Sequence, residues 1–123
     1  MPNPLLPRIG AVFIHVQDMP KAVEFYSAVL QVSLDRSHFD GTIVPIPVDG
    51  GSGLMLDSNK PDQHVPSDKP LFMFDTVNLD LAYDHIVSLG IPIAWEKEDH
   101  DAFAFFTFRD PFGNMLMVCE MRS

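Results

Sequence analysis

The sequence predicts an α+β fold in which two β-α-β-β-β modules form a curved, half-open mixed barrel. Three observations carry this expectation. The chain repeats itself, since a strand-like run starting at Ala11, a helix cap at Asp18 and Ala22 within the helix recur 60 residues later at Leu71, Asn78 and Ala82. Each copy begins with an apolar run and a capped amphipathic helix, then continues as short strand-like stretches separated by turn residues. The last two stretches are joined by Asp110-Pro111-Phe112-Gly113, a hairpin signal in which Pro111 presets φ and Gly113 supplies a positive one. One copy alone has too little core to be stable, so the two must pack or pair.

The elements follow in order. "IGAVFIHV" (9–16) is rich in β-branched and aromatic residues and reads as a strand. Asp18 is placed to cap a helix, Pro20 is tolerated in its first turn, and Ala22, Tyr26, Val29 and Leu30 fall on one face. "VSLDRSHF", "TIVPIPV" and "GLMLDS" read as strands of a meander separated by Asp-Gly and Asp-Gly-Gly turns. Pro45 and Pro47 lack a ladder donor, so "TIVPIPV" belongs at an edge or is irregular. "NKPDQHVPSDKP" (59–70) is polar, rich in proline and aperiodic, and reads as a linker. "LFMFDTV" then restarts the pattern, Asn78 caps a helix with Leu79, Ala82, Ile86 and Leu89 on its apolar face, and Gly90 stops it. "IPIAWE", "AFAFFTF" and "NMLMVCEM" supply three more strands, with "EKEDHD" (96–101) as a solvated acidic turn. The whole is one domain, 1–123: module one about 8–58, the linker 59–70, and module two about 71–121.

A net charge of −9 argues against nucleic acid or an anionic membrane as partner and leaves room for a cationic ligand. The single cysteine, Cys119, excludes an intrachain disulfide and suits a reducing cytoplasm. No signal-peptide pattern opens the chain, and no apolar run reaches membrane-spanning length. The serines carry no G-x-S-x-G context and no glycine-rich phosphate loop opens a helix, so nucleophilic hydrolysis and nucleotide binding lack support.

"HVQDMPKAVEFYSAVL" resembles the V-x-D-x-x-x-A-x-x-F-Y-x-x-x-L opening of the vicinal oxygen chelate superfamily, which includes glyoxalase I, the extradiol dioxygenases and the bleomycin-resistance proteins. "FRDPFGNMLMVCE" resembles the D-P-x-G-N closing hairpin of the same group. The resemblance covers nearly the whole chain and implies that superfamily's fold. In its metal-dependent members a divalent ion sits between the sheets, held by the first and last strands of each module. Carried onto this chain, the ligand positions fall on Ala11 and Leu71, each seven residues before a helix cap, on Met117, four after Gly113, and on Met55. Asp57 is the one nearby oxygen donor to that last position. Alanine, leucine and methionine cannot hold a hard or borderline divalent ion. The expected cofactor is therefore none.

Strand parity puts Ala11, Phe13 and His15 on one face and Leu71, Met73 and Asp75 on the equivalent face of the second module. His15 and Asp75, each three residues before a cap, are the candidate catalytic pair, with His15 able to act as a general base. Asp57 shares parity with Met55, and His15 with Asp57 gives two ligands, too few for a metal site. Met55, Met73, Met117, Cys119 and Phe13 form a soft, polarizable wall suited to a flat organic ligand. Cys119 has no basic neighbour in sequence to activate it, and Glu120 lies on the opposite strand face from Met117. His38, His64, His85 and His100 are not spaced as ligand pairs and are expected in solvent. The reading is a metal-free protein that binds a small, cationic or aromatic organic molecule in an apolar cleft, without chemistry. By resemblance it works like the bleomycin-resistance branch and as a homodimer. The alternative is a metal-dependent lyase or isomerase of glyoxalase type, or a dioxygenase, with non-standard ligands.

Overall fold

Along β1 (Ala11–His15), Val12 and Ile14 alternate with Ala11, Phe13 and His15, so the strand has one apolar face to bury and one to leave open. Ile14 is fully buried and Phe13 is half exposed. In the computed structural model, which describes residues 4–34, 42–49 and 52–122, this division extends across the first sheet. The remaining elements are α1 (Met19–Leu30), β2 (Ile43–Ile46), β3 (Gly53–Asp57), a 3-10 turn (Pro61–Gln63), β4 (Met73–Asp75), α2 (Leu79–Ser88), β5 (Ile93–Asp99), β6 (Phe103–Arg109) and β7 (Met115–Met121).

Both modules use the same construction. The first sheet runs β1-β3-β2 with β1 parallel to β3, and the second runs β4-β7-β6-β5 with β4 parallel to β7. β2 lies at an edge, where Pro45 costs no ladder hydrogen bond to a further strand. The result is an α+β fold of two curved mixed sheets, with no closed barrel among the described residues. Of "VSLDRSHF", Val32–Leu34 form no strand, and the rest, His38 included, lies outside the described residues, as does the Asp40-Gly41 turn.

Capping explains where the helices start. The Asp18 side chain accepts the Lys21 amide at 3.2 Å, and Asn78 accepts the Leu81 amide at 3.1 Å. Glu120 Oε1 also accepts the Leu79 amide at 2.9 Å, which sets a carboxylate at the positive end of α2. Met19, Ala22, Tyr26 and Val29 form the buried stripe of α1, and Leu79 and Ile86 that of α2. Leu89, expected on that stripe, is exposed, because it sits at the C-cap where the helix turns away. These stripes join Val44, Leu54 and Leu56 of the first sheet and Phe106, Phe108 and Leu116 of the second in one continuous core.

The acidic segment differs from expectation. Glu96–Asp99 continue β5 as strand, because the ladder to β6 reaches Asp99↔Ala104, and the turn shrinks to residues 100–102. The 59–70 stretch is not a loose connection either. Ser67 N–H donates to Gly113 O at 3.2 Å, Ser67 Oγ accepts the Met115 amide at 2.8 Å, and Arg109 Nη1 donates to Ser67 O at 2.7 Å. These bonds strap the connection onto the Asp-Pro-Phe-Gly hairpin.

That hairpin is also where the modules meet. Gly113 has φ +82 and closes a turn through its amide to Asp110 O at 3.2 Å. The buried Asp110 carboxylate accepts the Phe112 and Asn114 amides on Oδ1, both at 2.9 Å. On Oδ2 it accepts Asn114 Nδ2 at 2.8 Å and, from α1, the Tyr26 hydroxyl at 2.7 Å. Asn114 Nδ2 also donates to His15 O at 2.9 Å, binding the end of β1. Burial foremost, and then the adjacent Asp110 carboxylate, pushes the Tyr26 phenol well above its ordinary value.

Two tests follow from this geometry. A raised native-state tyrosine pKa gives stability that is whole below the unfolded value, about 10, and is lost as pH climbs towards the native one. Urea midpoints should therefore fall above about pH 10, and Tyr26→Phe should flatten that decline; an unchanged slope in the variant contradicts the assignment. A Cβ at Gly113 would lie 2.7 Å from Pro66 Cβ, whereas Gly90, at φ +76, faces open space. Gly90→Ala should cost about 1–2 kcal/mol for its left-handed backbone, and Gly113→Ala more, because the clash with Pro66 is added. Equal losses in urea unfolding would contradict the strapped hairpin.

Candidate functional site

The sheet faces turned away from the helices carry the candidate residues. In β1 and β3 the register pairs Ala11 with Gly53, Phe13 with Met55, and His15 with Asp57. In β4 and β7 it pairs Met73 with Met117 and Asp75 with Cys119. Leu71 continues the second set through its amide to Met115 O at 2.9 Å. The ten residues thus form two groups, one per sheet.

Two clefts open beside these strands. The larger, about 770 Å³, is lined by Val12, Leu30, Leu54, Phe72 and Phe74, together with Met73 of the candidate set. Phe72 and Phe74 meet edge to face, with ring centroids 5.1 Å apart. Among the described residues its only charged lining groups are the exposed carboxylates Asp49 and Asp75. The smaller, about 510 Å³, brings Phe13, His15, Asp57 and Leu71 together with Lys60 and His64 of the 59–70 segment. Ala11, Met55, Met117 and Cys119 line neither of them.

The candidate catalytic pair is not a pair in space. His15 and Asp75 lie in different clefts. His15 instead faces Asp57 across the β1–β3 register, with Nδ1 3.8 Å from Oδ2, while Asp57 Oδ1 accepts the Asn59 amide at 2.8 Å. The His15 ring also lies nearly parallel to Phe13, centroids 6.5 Å apart.

The four positions that the resemblance assigns to a metal carry no nitrogen or oxygen in their side chains, and the neighbouring donors do not compensate. Among the described residues no three His, Cys, Asp or Glu side chains are grouped to hold an ion. Donors of this kind do not fit the divalent ion of the family's metal-dependent members. Cys119 is buried, and desolvation first, then the Asp75 and Glu120 carboxylates, pushes its thiol up, away from the reactive thiolate.

Some histidines were expected in solvent and are not. His64 and His85 are partly buried, with Nε2 at 2.9 Å from Phe112 O and from Val29 O respectively, because each satisfies a carbonyl at a junction between segments. His100 is exposed and stacks on Phe103 at 4.8 Å. Sequence reasoning missed Asp49 and Lys60 as lining groups. Asp49 looked like a turn former and Lys60 like linker, and neither lies in a periodic segment that would have marked it.

A family model described as the Glyoxalase/Bleomycin resistance protein/Dioxygenase superfamily matches residues 8–118. Among solved structures, a glyoxalase/dioxygenase from Nostoc punctiforme superimposes with a TM-score of 0.76 at 19% identity, covering 100% of this chain and 99% of that one. A lactoylglutathione lyase from Agrobacterium tumefaciens gives 0.70 at 20% identity, covering 96% of each chain. A glyoxalase/bleomycin resistance protein/dioxygenase family enzyme from Burkholderia phytofirmans PsJN gives 0.74 at 14%, covering 92% of this chain and 98% of that one. At these identities the likeness is one of fold. No curated protein matches the sequence. No helix among the described residues is long and apolar enough to cross a membrane.

The buried, deactivated state of Cys119 has a direct readout. The native protein should react with a disulfide reagent such as DTNB far more slowly than the urea-unfolded chain. Comparable rates would mean that Cys119 is accessible.

Proposed function

The chain belongs to the glyoxalase/bleomycin resistance protein/dioxygenase superfamily, and from that premise we propose that it is a metal-free binding protein holding a small, flat, cationic or aromatic molecule in its larger cleft. The observation that carries this reading is the donor set. Where a metal-dependent member needs imidazole or carboxylate, this chain has Ala11, Met55, Leu71 and Met117. A lyase, isomerase or dioxygenase mechanism of the family's metal-dependent kind needs an ion as Lewis acid, and these side chains do not fit one.

The ligand class is supported by the cleft's walls and by its charge. Phe72 and Phe74 offer aromatic surface and Met73 a polarizable thioether, a combination that accepts a flat ring. Asp49 and Asp75 supply negative charge, with no cation among the described lining residues to cancel it, which favours an ammonium or similar group on the ligand. Binding would sequester the molecule rather than transform it. The reading includes a homodimer, supported by Trp95 and Met121, large apolar side chains outside both clefts that a single copy leaves exposed. A reducing cytoplasm suits its one free thiol.

Proflavine, a planar cationic dye, tests the reading by thermal unfolding. A ligand at a hundred times its Kd adds about 2.7 kcal/mol, so the melting temperature should rise with dye concentration. The double substitution Asp49→Asn and Asp75→Asn, both at exposed positions, should reduce the shift without lowering the stability of the free protein. The reading fails if the dye and a panel of related aromatic cations leave the transition unmoved, or if the double variant binds them as well as the parent.

A further inference from the structure

The smaller cleft has the opposite character from the larger one. Its lining includes one carboxylate, Asp57, whose Oδ1 accepts the Asn59 amide while Oδ2 lies 3.8 Å from His15 Nδ1, beyond hydrogen-bond distance. Against it stand the Lys60 ammonium and the imidazoles of His15 and His64. On a chain with a net charge of −9, an ammonium that has no carboxylate partner among the described residues runs against the global field.

The apolar part of this cleft is unusual in the same way. Phe13 is 46% exposed, Leu71 47% and Val65 78%, and all three line this one space. Large apolar side chains gathered around a concave site, with a few convergent polar groups, describe a binding pocket better than a solvated surface. The near-parallel rings of Phe13 and His15 present a flat wall. The polar groups are held in place, since His64 Nε2–H donates to Phe112 O and Ser67 Oγ accepts the Met115 amide. Lys60 itself occupies a left-handed backbone position, φ 53, at the start of the 3-10 turn, and its ammonium has no carboxylate partner among the described residues.

We infer that the smaller cleft is a second binding site, for a flat aromatic anion such as an aryl carboxylate, with the ring against Phe13 and Leu71 and the carboxylate facing Lys60 and His15. A cation would meet the like charge of Lys60, and the Asp57 carboxylate already accepts the Asn59 amide on one oxygen. An aryl carboxylate matches the donors, the charge and the apolar wall together. The inference stands apart from the larger cleft, whose carboxylates select the opposite charge.

The experiment uses the isotope-labelled protein and two probes of the same size, 2-naphthoate and 2-naphthylmethylammonium, followed by amide chemical shifts. Naphthoate should move the amides of Phe13–His15 and of residues 59–67 in a saturable way. Lys60→Glu should weaken it about fivefold or more, the scale of one ionic contact, while Lys21→Glu, an equal charge change away from the cleft, should leave it nearly unaltered. Both positions are exposed, and an unchanged spectrum of the free variants confirms their fold. The ammonium probe should leave the smaller cleft still. Absence of saturable naphthoate shifts, shifts confined to the larger cleft, or equal losses in the two variants would overturn the inference. Failure of proflavine binding alone would not touch it.

Discussion

Asp110 is buried, yet its carboxylate is surrounded by donors: two backbone amides of its own hairpin, the Asn114 side chain, and the Tyr26 hydroxyl from a helix 84 residues earlier in the chain. A buried charge without such partners would cost several kcal/mol, and with them it becomes a strong constraint on geometry. Because Tyr26 belongs to the first module and Asp110 to the second, this group fixes how one sheet sits against the other. Asn114 repeats the link at the end of β1. Both clefts draw their walls from both modules, so their shapes depend on this junction.

Within that frame the chain keeps the family's architecture and changes what the open sheet faces carry. At the four positions that the resemblance assigns to a metal, those faces carry thioether and hydrocarbon side chains, and of the four only Leu71 reaches a cleft. Polarity moves to the flanks. The larger cleft receives Asp49 and Asp75 from the bend after β2 and from the end of β4, and the smaller receives Lys60 and His64 from the strapped 59–70 segment. The charged lining groups of both clefts thus come largely from loops and strand ends set against largely neutral sheet faces.

The architecture was legible because repetition, capping and turn chemistry are local signals. Asp18 and Asn78 mark both helix starts, Gly90 and Gly113 mark stops and turns through positive φ, and Pro45 marks an edge strand. What escaped was set by contacts between distant segments. Nothing near Glu96 indicates that β5 will pair with β6 as far as Asp99, and nothing in 59–70 shows that Ser67 will bind the hairpin. Strand parity placed His15 and Asp75 on corresponding faces, as the registers have them, but parity says nothing of which cleft each face meets. His15 found Asp57 through a parallel pairing that only the folded sheet defines.

The metal-free reading depends on four side chains, Ala11, Met55, Leu71 and Met117, that lack nitrogen and oxygen where such atoms would be needed to coordinate. Elemental analysis of protein purified without chelators and dialysed against metal-free buffer addresses this most directly. In a metal-free protein, nickel, zinc, iron and manganese all lie far below one ion per chain, and the melting temperature is unaffected by EDTA. One tightly held ion per chain, with stability lost on its removal, would contradict that reading.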